Sequence, residues 1–438
     1  MIKQNSNISM RLLHTIVFMI ICINLYAQHK TDAFLENILS SNKDRLFREV
    51  LSHPGTYRLQ IIYTQINRDK NNTPTFKNYY FNVDPLFYFN PASTVKLPLA
   101  ALSLEKLNEM KVDGVDKYTS MQFDSAYQRQ VKELHDSSSE TNYPSIAHFI
   151  KKAFLISDND AYNRMYQFVG QQTINRNLHA KGYTGTRITR EFMGFTEEEN
   201  RHTNPINFID KGGKVIYHQP MQFNTDSFDF SHTVKIGQAH YNNKDSLINE
   251  PIDFTKVNNL PLEDFQQVLQ SILFPLSVPE KQRFNLTKED HAFLKQFLSQ
   301  YPSETDYPKY DTAQYYDSYV KFFFQDSTHA MPHNIRVFNK VGWAYGFLID
   351  ASYVVDFKNN VEFMLASTIY ANSDGILNDD TYDLETVAHP FTYQLGQTIY
   401  NYELKRNRKH KPDLSDFKID YEKRNPNDTR PAIKDADN

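Results

Sequence analysis

The sequence predicts an α+β fold: a mainly antiparallel sheet flanked by N- and C-terminal helices, with a nested all-helical lobe. Three observations predict it. β-rich runs lie near both ends of the chain. Segments of helical spacing lie outside those runs, at either terminus. Helical spacing also dominates the middle. Strands from both ends can then join one sheet, and the cleft between sheet and lobe is a natural active site.

The first element is a leader. Arg11 precedes a mostly apolar run over 12–25, then Tyr26-Ala27-Gln28. A positive start, a short apolar centre and a small residue before a polar stretch describe a signal peptide over 1–27, cleaved after Ala27. The run is shorter than the roughly 20 residues that span a bilayer, and Asn24 breaks it. The alternative is an uncleaved anchor. Cys22 is the lone cysteine. It follows Ile20 and Ile21, whereas a lipid-attachment site wants a small residue there. The expected location is exported, periplasmic or secreted from a bacterium, with no membrane span left after cleavage. A cysteine-free mature chain suits an oxidising compartment.

Residues 32–51 carry helical spacing, which His53-Pro54-Gly55 stops. Residues 58–66 and 76–83 form a hairpin around a polar turn. A helix follows over 93–110, and further helices over 144–155, 161–169 and 173–180. From 207 to about 260 short β-like runs such as Lys214-Val215-Ile216-Tyr217 alternate with polar text of no clear period, as in an insertion. Helical spacing returns over 261–273, 288–298 and 312–324. Strands are expected over 335–341, 347–357 and 361–370, with Lys358-Asn359-Asn360 as a turn. A helix over 384–404 is interrupted near Pro390. Residues 406–438 are highly charged and read as a solvated, disordered tail. The catalytic unit would thus span 28–405.

Composition excludes several classes. Lys+Arg is 48 and Asp+Glu is 52, so the chain lacks the basic surplus of a nucleic-acid binder. One cysteine rules out a disulfide framework and a multi-cysteine zinc site. No glycine-rich phosphate motif and no His-Glu-x-x-His spacing occurs, so neither metal nor cofactor is expected. The aromatics Tyr315-Tyr316 and Phe322-Phe323-Phe324 read as core packing.

Ser93-Thr94-Val95-Lys96 opens a helix, where residues three apart share a face. The lysine amine then reaches the serine hydroxyl, which needs a base to become a nucleophile. The pattern recurs at Ser40/Lys43, Ser103/Lys106, Ser318/Lys321 and Ser415/Lys418, which read as solvated helix surface. Context singles out Ser93, between an apolar strand end and an apolar helix start. Ser157-Asp158-Asn159 follows another helix. It offers a hydroxyl for proton relay and an amide to orient a substrate, and it also reads as a plain helix cap. Lys340-Val341-Gly342 ends a β-like run. There Lys340 would border the cleft, and Gly342 would let backbone approach a substrate.

Ser-x-x-Lys, Ser-Asp-Asn and Lys-x-Gly in this order resemble the penicillin-interacting serine hydrolases, the class A β-lactamases and penicillin-binding proteins. The flanking text, FNPASTVKLPLAALSLEKL and LISDNDAYNRMYQFVG, is most similar to the class A branch. The resemblance covers about 30–405 less the insertion, and implies a β-lactamase/transpeptidase-like fold. It implies that Ser93 attacks a lactam or peptide carbonyl and that Lys96 assists. Ser157 would pass a proton to the leaving nitrogen, and Asn159 would hold the substrate amide. Lys340 would attract a carboxylate, and the N–H groups of Ser93 and Trp343 would form the oxyanion hole.

Two positions depart from the family. Val341 stands where a hydroxyl residue is usual, which removes one hydrogen bond to a substrate carboxylate. The deacylating glutamate of class A enzymes has its nearest counterpart in Glu191, about one position displaced and without the usual Glu-x-x-x-Asn spacing. Glu197, Glu198 and Glu199 are rivals on an acidic run that reads as solvated. The resemblance implies a cofactor-free monomer acting on a small β-lactam or cell-wall peptide, without nucleic acid. The leading expectation is β-lactam hydrolysis through an acyl-serine. A D-alanyl-D-alanine peptidase, an esterase-like hydrolase and a slowly deacylating penicillin-binding sensor are the alternatives.

Overall fold

The computed structural model describes residues 29–436. The leader, with Cys22 and the expected cleavage site, lies outside the described residues. Five strands form the main sheet: β1 (Gln60–Arg68), β2 (Pro74–Phe81), β3 (Ile335–Ala344), β4 (Phe347–Asp356) and β5 (Val361–Tyr370). Their order is β3-β4-β5-β1-β2, and every neighbouring pair is antiparallel. The N-terminal hairpin and the C-terminal meander meet where β1 pairs with β5, with Tyr63 opposite Leu365. Tyr345 and Gly346 join β3 to β4, both at positive φ (52° and 77°), the conformation a two-residue hairpin turn needs to match strand twist.

The helices are α1 (Ala33–Leu39), α2 (Arg45–Ser52), α3 (Lys96–Met110), α4 (Ile146–Leu155), α5 (Asn159–Val169), α6 (Gln171–Ala180), α7 (Leu262–Leu273), α8 (Lys288–Ser299) and α9 (His389–Lys405). Strand β4 is buried along its whole length, and its side chains alternate between two apolar clusters. Ile349, Ala351, Tyr353 and Val355 join the cluster of the helical lobe. Leu348 and Val354 join the cluster under α1, α2 and α9. That two-sided burial is why β4 reads as a continuous apolar run. Each buried Ile, Leu or Val among them contributes about 1.5–3 kcal/mol by leaving water. Helix α3 runs through the lobe, with every residue from Lys96 to Glu105 buried.

The α+β class stands as the sequence predicts, with four differences of detail. The helix expected over 32–51 is two, because Asp44 leaves the helix to cap α2 through the Phe47 N–H (2.8 Å). Residues 312–324 form turns rather than an α-helix. Tyr315 packs into the lobe cluster while Phe322, Phe323 and Phe324 pack into the other, so no single stripe serves both. The helix expected from 384 does begin there, as a π-turn over Leu384–Ala388, and the expected interruption is a change of winding into α9, with Pro390 in the first turn of α9. The lobe is not purely helical, since Ile206–Ile209 pairs with Ser120–Phe123 and Val215–Gln219.

The segment expected to be a disordered tail packs on the body. Leu414 and Phe417 are buried, and the Phe417 ring meets Phe274, Phe338 and Tyr353. Arg424 donates to the carbonyls of Pro302, Thr305 and Tyr310. Charge density alone hides these sparse anchors. Among the described residues no helix is long and apolar enough to cross a membrane.

Candidate active site

A short 3-10 turn, Ala92–Val95, runs directly into α3. Ala92 sits at φ 45°, a region that costs a non-glycine residue strain. The Asn90 side chain holds this bend by accepting the Ala92 N–H at 2.9 Å. Ser93 is thereby presented at the helix start, half-buried. Lys96, one turn on and 0% exposed, brings its Nζ to 2.8 Å from the Ser93 Oγ. The same amine donates to the Asn159 Oδ1 at 2.8 Å and to the Ser157 carbonyl, and lies 3.4 Å from the Ser157 Oγ.

Ser157 occupies the left-handed region (φ 68°) between α4 and α5. Asp158 caps α5 by accepting the Ala161 N–H at 2.8 Å. The helix cap and the contacts to Lys96 therefore coexist in one tripeptide. From β3, the Lys340 Nζ donates to the Ser157 Oγ at 2.7 Å and to the Val341 carbonyl at 2.8 Å. Ser157 thus lies between two buried amines. Of the lysines in the other Ser-x-x-Lys pairs, Lys321 is buried and Lys106 half-buried. Lys106 donates to the Phe168 carbonyl and Gln219, and Lys321 to the Leu298 carbonyl and Asn339.

Alternation along β3 puts Lys340 and Gly342 on the face toward Ser93. Val341 joins the opposite apolar cluster, and the Trp343 ring packs edge-on to Tyr319 and Phe322. A Cβ at position 342 would lie 2.8 Å from the Pro91 carbonyl oxygen and 3.0 Å from the Ser93 nitrogen. The strand can approach the Ser93 turn so closely because residue 342 has no side chain. Val341 is wholly buried, so its place is filled by packing rather than by a polar contact to the cleft.

Ser93 and Asn159 open onto a cleft of about 340 Å³. Its walls include Arg190, Phe192, Asn258, Trp343 and Tyr345. The loop carrying Arg190 has no regular secondary structure, and asparagine side chains hold its backbone instead. Asn175 accepts the Ile188 N–H, Asn258 those of Thr189 and Arg190, Asn200 that of Glu191 and Asn163 that of Phe192 (2.8–3.1 Å). Burial alternates along it, with Glu191 buried between the partly exposed Arg190 and Phe192. Arg190 and Phe192 face the cleft. Phe192 stacks on Tyr162, with ring centroids 4.3 Å apart, and lies 5.2 Å from the Lys96 Nζ.

Glu191, expected to act at the cleft, points the other way. It is 1% exposed and accepts a 2.9 Å hydrogen bond from Gln167 on α5. Burial pushes its carboxyl up to about 8. The one-position displacement seen in the sequence has its counterpart here, since the cleft-lining places on either side of Glu191 belong to Arg190 and Phe192. None of the three rivals lines the cleft. Glu197 pairs with Lys256 at 2.8 Å, and Glu199 is buried against the Arg129 guanidinium rather than solvated.

Residues 46–211 match the beta-lactamase enzyme family. The match spans the Ser93 turn, the Ser-Asp-Asn turn and the Glu191 loop, and stops before β3. Similar solved structures include a beta-lactamase from Sphaerobacter thermophilus (15% identity, covering 81% of this chain and 96% of that one, TM-score 0.42). A class A beta-lactamase from Clostridium kluyveri is 14% identical (82% and 99% covered, TM-score 0.44). A beta-lactamase from Francisella tularensis is 13% identical (82% and 100% covered, TM-score 0.45). No curated protein matches the chain.

In this β-lactamase-like chain, the structure brings together Ser93, Lys96, Ser157, Asn159, Lys340, Gly342 and Trp343, and leaves Glu191 behind the loop. Arg190, Phe192 and Asn258 are the cleft residues that motif reading passed over. Alternation around Glu191 could have flagged the first two. Asn258 sits at the end of the insertion with no local signal. Gly342→Ala is expected to slow any acylation of Ser93 at least tenfold. Overpacking against rigid backbone should also cost about 1–3 kcal/mol of stability. Acylation rates and thermal melts of the variant check both.

Proposed function

We propose that the chain is an acyl-serine hydrolase of the β-lactamase type, exported and acting on β-lactam amides. The observation that carries this reading is the continuous contact from Ser93 Oγ through Lys96 Nζ to Ser157 Oγ and Lys340 Nζ, opening on a cleft. With Lys96 as a neutral amine, the 2.8 Å contact lets Nζ take the hydroxyl proton as Ser93 Oγ attacks the carbonyl carbon. The tetrahedral oxyanion is held by the backbone N–H groups of Ser93 and Trp343. The C–N bond then breaks, and the proton reaches the leaving nitrogen through Ser157. Asn159 orients the substrate amide. Lys340, through Ser157, keeps the relay polarised and the site attractive to anions. Water then cleaves the acyl ester.

The test is to incubate the purified chain with benzylpenicillin, follow intact mass and map the adduct, and to assay a chromogenic cephalosporin. The expected result is an adduct on Ser93 with continuing hydrolysis. An adduct elsewhere, or neither adduct nor hydrolysis, would overturn the reading. One observation favours a second outcome, a long-lived acyl-enzyme. The carboxyl of Glu191 lies behind the loop, and the Phe192 ring lies beside Lys96. A persistent Ser93 adduct without turnover would support a penicillin-binding or sensor role.

A further inference from the structure

We infer that Arg190 is a specificity-determining residue that binds a carboxylate on the acyl side of the substrate, so that preferred substrates carry two anionic groups. This rests on the acyl-serine reading above and names its substrate class.

Four observations carry it. Arg190 lines the same cleft as Ser93 and Asn159, and among the described residues no acidic side chain lines that cleft. Among the described residues, its guanidinium makes no hydrogen bond or ion pair. Its neighbours behave otherwise. Arg187 donates to the carbonyls of Asp229 and Thr255, Arg201 to those of Asn224 and Asp226, and Arg164 pairs with Glu133. Third, the Arg190 backbone is clamped on both sides. Its N–H donates to the Asn258 Oδ1 at 3.1 Å, and its carbonyl accepts from the Tyr162 hydroxyl at 2.8 Å and the Asn258 amide at 3.3 Å. Asn258 is itself 4% exposed. A cation on a fixed backbone loses less freedom on binding than one on a mobile loop.

The fourth observation sets the side of the cleft. Tyr162 stands one helical turn after Asn159 on α5, and its hydroxyl is what holds the Arg190 carbonyl. The Arg190 backbone is therefore tied to the helix that presents Asn159, on the side of the cleft where the acyl-side amide would lie. A planar guanidinium matches a carboxylate through two parallel N–H···O bonds. One anion on the Lys340 side and one at Arg190 would fix the substrate at both ends of the scissile bond.

The experiment compares Ser93 acylation by benzylpenicillin, whose acyl side chain is neutral, with acylation by a penicillin bearing a carboxylate on that side chain. Second-order rates are read by intact mass in the full chain and in Arg190→Gln and Arg190→Lys. The full chain is expected to favour the carboxylated compound by about tenfold or more, the scale of a charge-assisted hydrogen bond. The ratio should fall to near one in Arg190→Gln and be partly kept in Arg190→Lys. A ratio near one in the full chain, or one that survives Arg190→Gln, overturns the inference and leaves the acyl-serine reading standing. Failure of both compounds to acylate Ser93 overturns both.

Discussion

Lys96→Met is expected to slow acylation of Ser93 by about 10²–10⁴-fold, the range a positioned general base supplies. The side chains are similar in length, so the variant removes the amine and keeps the packing. Ser93 Oγ then loses the Nζ at 2.8 Å that can take its proton. The Ser157 carbonyl and Asn159 Oδ1 lose a donor in the same step. Leaving buried acceptors unpaired costs about 1–3 kcal/mol, whereas replacing a buried polar amine by an apolar side chain returns its desolvation penalty. The opposing signs predict a thermal midpoint within a few degrees of the parent. The rate loss would then report chemistry rather than unfolding. A Lys96→Met/Ser157→Ala double variant tests whether the residues form one relay. If they do, it should be little slower than Lys96→Met alone, because parts of one unit are not additive. Time-resolved intact mass with a penicillin measures all three rates. A Lys96→Met rate within tenfold of the parent would remove Lys96 from the mechanism.

The sheet and the polar cluster around Ser93 were legible, each for its own reason. Strands β4 and β5 are buried on both faces, so their apolar runs survive in the sequence, and β1 shows the same at Ile61, Ile62 and Tyr63. Ser93 and Lys96 are local in sequence, so helical spacing alone places them together. Ser157 and Lys340 lie far apart in sequence, and only motif order and resemblance joined them. What stayed hidden depends on contacts that leave no period. The loop at 188–192 is held by asparagines from α5, α6, the 199–201 turn and the insertion. No spacing rule links those residues. Residues 312–324 mislead in the opposite way, since aromatics that serve two clusters mimic one helical stripe. The segment after Lys405 misleads through its charge, although Phe417 and Arg424 tie it to the body.

Glu191→Gln separates the family's expectation from the geometry of this chain. The Glu191 carboxyl titrates at about 8 in the folded protein, from an ordinary value of 4.5, because burial penalises the charged form. Between those values the native state holds a proton that the unfolded state has released. Stability must then fall as pH rises through that window and level off above about 8. Glutamine carries no such proton and can still accept the Gln167 amide. The variant is therefore expected to match the parent near pH 4.5 and to become progressively more stable than it toward pH 8. At 1.36 kcal/mol per unit, the gain is on the order of 4 kcal/mol. Denaturant melts of both proteins across that range check the sign and the window. A variant equally destabilised at every pH would contradict the buried, protonated state. Hydrolysis gives an independent readout on the same protein. A carboxyl that faces Gln167 and is largely protonated at neutral pH cannot draw a proton from water at Ser93, so turnover is expected to persist within a few-fold. A loss of about 10² or more, the scale of a general base, would return Glu191 to the chemistry. It would also require the 188–192 loop to turn its side chains over against five asparagine-held N–H groups, a rearrangement that melts and kinetics would both register.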